Sequence, residues 1–180
     1  MTNYISIHTR DKLKMSSMFY LADLFEHFTH ALTLQTQLKT YNASPARMAQ
    51  QIEQAQQSIH YLRMRLNRTL YGNGSRRNPN LVPIFIPVLE GRHNTYDHNK
   101  TLHYPVGIGN LPNHCSTELL TDAVTQIWSS SSAGTSDVLI QELNNRSPYQ
   151  FSQYVLKEFD CGNLDVIDYT NAQLPQYLRT

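Results

Sequence analysis

The stretch 45–71 constrains this chain more than any other, because it reads as one long helix with both ends marked. Ser44 is a preferred N-cap residue, its hydroxyl able to accept from an unpaired first-turn N–H, and Pro45 suits the first helical position. No glycine or further proline interrupts the run up to Tyr71, and Gly72 and Gly74 then end it. Ile52, Ile59, Leu62 and Leu66 mark one apolar side. A helix with such a side must cover a second layer, which the neighbouring segments have to supply.

Strand signals supply it. Residues 29–36 alternate in the manner of a half-buried strand. Residues 81–90 are β-rich, with Pro83 and Pro87 pointing to an edge position or bulges. Residues 101–108 follow after the polar connection 91–100, which predicts a long-looped antiparallel hairpin. Residues 137–143 and 164–169 are short strand candidates. Three more helices are expected. One covers 10–27, with Leu13, Phe19, Leu21 and Leu24 as its stripe. The second covers 116–128, with Ser116 and Glu118 near its start and Leu119, Leu120, Val124 and Ile127 as its apolar side. The third starts at a capping box of Ser147, Pro148 and Gln150 and ends near Gly162. This order predicts an α+β fold, a central antiparallel sheet flanked by helices. A single domain is expected over 1–180, with 1–28 as a helical N-terminal extension and 29–170 as the core.

Composition sets the broad class. At 180 residues, 40% hydrophobic and 16% charged, a sizeable core is expected rather than disorder. No apolar run approaches the roughly 20 residues of a membrane-spanning helix. Ser16, Ser17 and Asp23 break the stretch after Arg10, Lys12 and Lys14, so no secretory signal is expected. Cys115 and Cys161 lie far apart and read as reduced thiols, which fits a cytoplasmic protein. The formal net charge of +1 hides an asymmetry. Arg47, Arg63, Arg65, Arg68, Arg76 and Arg77 face only Glu53 over 45–77, a group suited to phosphate contacts or to a solvated helix face.

Two small clusters carry chemistry. On the hairpin, Ile84, Ile86, Val88 and Glu90 project to one side, because strand side chains alternate. His103, Pro105 and Gly107 share a side of the next strand. If Glu90 pairs near His103, a carboxylate and an imidazole come within about 5 Å, a mixed shell that suits Mg²⁺, Mn²⁺ or Zn²⁺. On the helix after Pro148, Phe151, Val155 and Phe159 make a buried stripe, and Tyr154 and Lys157 share another face. Tyrosine is a weak nucleophile at its ordinary pKa of about 10, and a neighbouring ammonium favours its phenolate and neutralises a phosphate.

These clusters, in this order, resemble the HUH endonucleases of rolling-circle replication and mobile elements. Thr29-His30-Ala31-Leu32-Thr33-Leu34 is similar to that family's first strand motif. The hydrophobic strand 82–90 ends in Glu90, and Leu102-His103-Tyr104-Pro105-Val106 is similar to its His–hydrophobic–His strand. Tyr154-Val155-Leu156-Lys157 matches its Tyr-x-x-Lys helix. Arg65-Leu66-Asn67-Arg68 with Tyr71-Gly72 resembles the segment that precedes the Glu strand in plasmid and phage members. The resemblance spans 29–160 and implies nicking and joining of single-stranded DNA through a 5′-phosphotyrosine. It implies Tyr154 as nucleophile, Lys157 as its assistant, Glu90 and His103 as ligands of a divalent metal, and Arg63, Arg65, Arg68, Arg76 and Arg77 as DNA contacts. Tyr149 points elsewhere on the helix, so a one-tyrosine enzyme is expected.

One position departs from the pattern. Proline stands at 105, where the family has its second histidine, and proline offers no ligand and no strand N–H. His93, His98, His30 or a DNA phosphate are the available substitutes. A relative that binds origin or hairpin DNA without cutting is the alternative. An RNA-binding sheet of the same topology is disfavoured by the lack of paired exposed aromatics. No GxxxxGK[ST] phosphate loop is present, so any unwinding falls to a separate host helicase.

Overall fold

Alternation along the strands divides the apolar residues of this chain between two layers, one on each face of a sheet. The computed structural model describes residues 7–92, 96–143, 153–157 and 166–179. The elements are α1 (Ile7–Phe25), β1 (Phe28–Lys39), α2 (Pro45–Tyr71), α3 (Gly74–Arg77), β2 (Ile84–Pro87), β3 (Thr101–Gly109), α4 (Thr117–Ser129) and β4 (Gly134–Glu142). The strands form a four-stranded antiparallel sheet in the order β2-β3-β1-β4. A helix joins β1 to β2 and another joins β3 to β4, the split β-α-β arrangement. The expected α+β architecture is present.

Leu32 and Leu34 of β1 and Leu102, Tyr104 and Val106 of β3 face α2 and α4 in the larger core. Ile59, Leu62 and Leu66 of α2 are fully buried there, as the helical spacing predicts. Ser44 caps α2 by accepting from Arg47 N–H at 3.3 Å, Pro45 opens it and Gly72 closes it with φ 57°. Trp128 fills the space between α4 and the sheet, its indole N–H donating to Gln35 O at 2.7 Å. Leu120 of α4 is buried and Leu119 is exposed, which corrects the expected apolar side by one residue. The stripe of α1 is corrected too. Leu13 and Phe19 are exposed, and Met18, Leu21, Leu24 and Phe25 are the buried residues. They pack with Ile84, Ile86, Val88, Val155 and Leu156 on the opposite face of the sheet.

The two prolines of the 81–90 stretch act at an edge. β2 is the outermost strand, and its free side is covered by residues 166–173 rather than by solvent. Asp168 N–H donates to Pro87 O at 2.9 Å, and Phe85 and Gln173 exchange backbone hydrogen bonds of 2.9 and 2.8 Å. The missing N–H of Pro87 therefore faces this covering segment, and the β3 ladder loses nothing to it. The last strand expected at 164–169 is realised as isolated bridges at Ile167 and Gln173. Cys115 is a free thiol. The capping box at Ser147, Pro148 and Gln150, the helix end near Gly162, and Phe151, Phe159 and Cys161 lie outside the described residues. No helix among the described residues is long and apolar enough to cross a membrane.

Candidate functional site

The hairpin of β2 and β3 brings the first two candidates together. Pro87 pairs with Val106, and the same register carries Glu90 opposite His103. Glu90 N–H donates to His103 O at 3.0 Å and His103 N–H to Glu90 O at 3.1 Å, so both backbones are fixed. Between these pairs, Val88 N–H donates to Pro105 O at 2.9 Å, and Pro105 has no N–H to return. The ladder is half-made there and resumes at Glu90. Gly91 makes the turn out of the strand at φ 100°, where an added Cβ would lie 2.5 Å from Thr101 O.

Side-chain contacts complete the site. His103 Nε2 donates to Glu90 Oε2 at 3.0 Å. Lys157 Nζ reaches the same oxygen at 2.8 Å. Lys157 Nζ also lies 4.4 Å from the centroid of the Tyr154 ring. Residues 153–155 are helical and continue through Leu156 to Lys157; Tyr154 and Lys157 are exposed while Val155 and Leu156 are buried. The Glu90 side chain is 0% exposed, against 48% for Lys157, and Tyr154 is 57% exposed. A buried carboxylate thus holds an imidazole and an ammonium, and the ammonium lies beside an accessible phenol. Glu90 Oε1 is buried without a hydrogen-bond partner among the described residues.

A cleft of about 310 Å³ adjoins Tyr154. Its walls include Thr33, Pro105, Leu139, Gln141 and Val155. A more polar groove of about 540 Å³ involves Gln35, Lys100, His103 and Asp137. Thr33 and Gln35 lie on one face of β1, opposite Pro105 and His103, so the two hollows follow that face. The sequence reading missed this face. Its signal was the odd register of β1, where Ala31, Thr33 and Gln35 are small or polar while Leu32, Leu34 and Leu38 of the even register are apolar.

Other expected participants lie elsewhere. His30 faces α4, with its ring nitrogens 3.1 Å from Thr117 Oγ1 and 2.9 Å from Thr29 Oγ1, so it is no substitute ligand. The His98 ring stacks 3.9 Å from that of Tyr41. His93 lies outside the described residues. The arginines sit on α2 and α3, and α2 covers the sheet face opposite Tyr154. Arg63 donates to His60 Nδ1 at 3.1 Å, and burial pushes its guanidinium pKa down against the opposing charge of Asp168. Arg65 lies 6.0 Å from the Tyr61 ring. Arg68 occupies the last turn of α2, and Arg76 and Arg77 that of α3, where a cation suits the helix C-terminus.

The donor set fits a divalent ion poorly. Among the described residues no group of three or more His, Cys, Asp and Glu gathers that could hold one. Glu90 and His103 are bonded to each other, and an ammonium already balances the carboxylate. In comparisons with known proteins, the chain matches no family model, no curated protein and no solved structure, so the likeness to HUH endonucleases rests on its motifs and their order.

Proposed function

We propose that this protein nicks and rejoins single-stranded DNA through a phosphotyrosine at Tyr154. The observation that carries this reading is the convergence of Tyr154, Lys157, Glu90 and His103 at one place beside the sheet. Tyr154 is exposed enough to meet a phosphodiester, and the cleft beside it gives the flanking nucleotide a seat. The Tyr154 oxygen attacks phosphorus, a new O–P bond forms and the bond to the 3′ oxygen breaks. The phenol proton passes through solvent to the departing 3′ oxygen. Lys157 neutralises the phosphate, the kind of fixed positive charge that stabilises phosphoryl transfer. Joining is the reverse attack by a 3′-hydroxyl. Unwinding is left to a separate helicase.

A second reading has a specific observation behind it. Pro105 removes a donor from the site, as expected of a chain that binds origin or hairpin DNA without cutting it. An RNA-stacking sheet has less support, because Phe28, the Phe, Tyr or Trp that β1 and β3 carry on the face beside Tyr154, is buried rather than exposed for stacking. One experiment separates these readings. The protein is incubated with a panel of single-stranded and hairpin oligonucleotides, with and without Mn²⁺, and resolved on a denaturing gel. A covalent adduct that disappears in Tyr154→Phe is the expected result. Binding without an adduct under every condition rejects cleavage in favour of the second reading.

A further inference from the structure

We infer that the Lys157 ammonium holds the place a divalent cation would take at this site, so that Glu90 and His103 position Lys157 and ligate no metal. This inference rests on the nicking reading above for its chemistry, and on geometry alone for its metal-binding claim.

The first argument is charge. A fully buried carboxylate needs a counter-charge, and Lys157 supplies it at 2.8 Å. His103 uses the same oxygen at 3.0 Å, which leaves no room on Oε2 for a metal bond. An ion at the remaining oxygen, Oε1, would find a carboxylate whose charge is already balanced. Metal sites of this kind depend on uncompensated anionic donors or on several neutral ones. Neither is present among the described residues.

Position 105 supplies the second argument. It is the next residue on the same side of β3 as His103, and so the strand position from which a second ligand could stand beside His103. Pro105 instead lines the cleft beside Tyr154. The residue that would complete a metal shell is built into the wall of the substrate cleft.

The third argument is placement. An ammonium is a compact point charge with three donors, able to contact a carboxylate and a phosphate together. Lys157 Nζ is 4.4 Å from the Tyr154 ring, so a phosphate at the Tyr154 hydroxyl comes within its reach. Glu90 and His103 are then positioning residues. The O–P bond to Tyr154 forms as the bond to the 3′ oxygen breaks, and the proton exchange between the two oxygens needs no metal-bound water.

Two measurements on the full chain test this. In the first, adduct formation is followed in excess EDTA and in Mn²⁺. The expected rate is unchanged by the chelator and falls by about 10²–10³-fold in Lys157→Met, the loss typical of removing one fixed charge donor. An adduct that forms only with Mn²⁺ overturns the inference and leaves the nicking reading intact. In the second, Mn²⁺ is titrated against the protein and free ion is read by EPR. Wild type is expected to take up none, and the double variant Lys157→Met/Pro105→His, which frees the Glu90 charge and adds a ligand, is expected to take up Mn²⁺. Wild-type uptake that is lost in Glu90→Gln overturns the inference. If no adduct forms under any condition, the nicking reading fails, and the Mn²⁺ titration still decides the metal claim. Thermal melting checks that each variant is folded, and the wild-type titration decides the metal claim should a Lys157→Met variant not fold.

Discussion

At the scale of single residues, the Glu90–Lys157 pair is asymmetric, and that asymmetry is measurable. Glu90 is buried and Lys157 is half-exposed. Removing Lys157 strands a buried carboxylate with His103 as its remaining partner among the described residues, while removing the Glu90 charge leaves an ammonium that water can solvate. Lys157→Met should therefore lower the melting temperature more than Glu90→Gln. The expected cost is below the roughly 3–5 kcal/mol of an unpartnered buried charge, because His103 remains. Equal losses in the two variants would show that the carboxylate is not held as described. Tyr154 makes the opposite case. Its side chain is exposed, so Tyr154→Phe should leave stability within about 0.5 kcal/mol while abolishing the adduct.

His30 gives the residue scale a pH dependence. Burial between β1 and α4 holds its pKa below the ordinary histidine value, against a smaller opposing pull from Glu142. The unfolded chain then binds a proton more readily than the folded one below about pH 6.5. This contribution to stability is complete above that pH and is lost as pH falls toward the folded pKa. Urea midpoints should drop from neutral to about pH 5 and drop less in His30→Gln. An identical slope in both proteins would remove His30 as the cause.

At the scale of elements, the helix at 45–71 and the hairpin were legible for different reasons. The helix ends are local chemistry, a hydroxyl cap at Ser44 and a glycine at 72, and Ser44→Ala should cost about 1 kcal/mol by urea denaturation. Alternation along the hairpin showed which side chains share a face, so Glu90 and His103 could meet, and the observed register pairs them. Gly91 holds that register. Gly91→Ala would drive a Cβ into Thr101 O at a backbone angle that favours glycine, so it should perturb the Glu90–His103 pair. The His103 ring resonances in NMR report it, and an unchanged spectrum would refute this role. The stripe of α1 was misread because Leu13 and Phe19 are apolar yet face outward. Composition alone does not say which side of a helix meets the sheet.

At the scale of the whole molecule, residues 166–173 close the β2 edge and anchor α2. Asn67 and Gln173 exchange amide hydrogen bonds of 2.8 and 3.1 Å in the interior. Asp168 accepts from Asn171 Nδ2 at 2.8 Å and from the Tyr104 hydroxyl at 3.4 Å. Burial and that carboxylate hold the Tyr104 hydroxyl far above the ordinary tyrosine pKa. Gln173→Ala leaves the Asn67 amide unpaired in a buried place, with an expected loss of about 1–3 kcal/mol. It also loosens the cover on an edge strand, so a rise in aggregation on warming should accompany the lower melting point. The sheet divides the functional candidates as well. Tyr154 lies on one face, and α2 with Arg63, Arg65 and Arg68 covers the other.

The sequence by itself determined the antiparallel sheet with its helices and the elements from α1 to β4 apart from α3, and it put Glu90 and His103 on sides of their strands that could meet. Each depends on interactions within a few residues or on a period of two or 3.6 along the chain. It also marked Tyr154 and Lys157 as neighbours, because one helical turn fixes their spacing. Only the tertiary structure decided that Lys157 meets Glu90, because those residues are far apart in the chain and no periodicity relates them. The same holds for His30 turning toward α4, for the cleft walled by Pro105, and for the strip of chain that seals β2. Tyr154 acquires its surroundings from that packing. Its ammonium partner is fixed by a buried carboxylate from the hairpin, and that contact is what the proposed chemistry depends on.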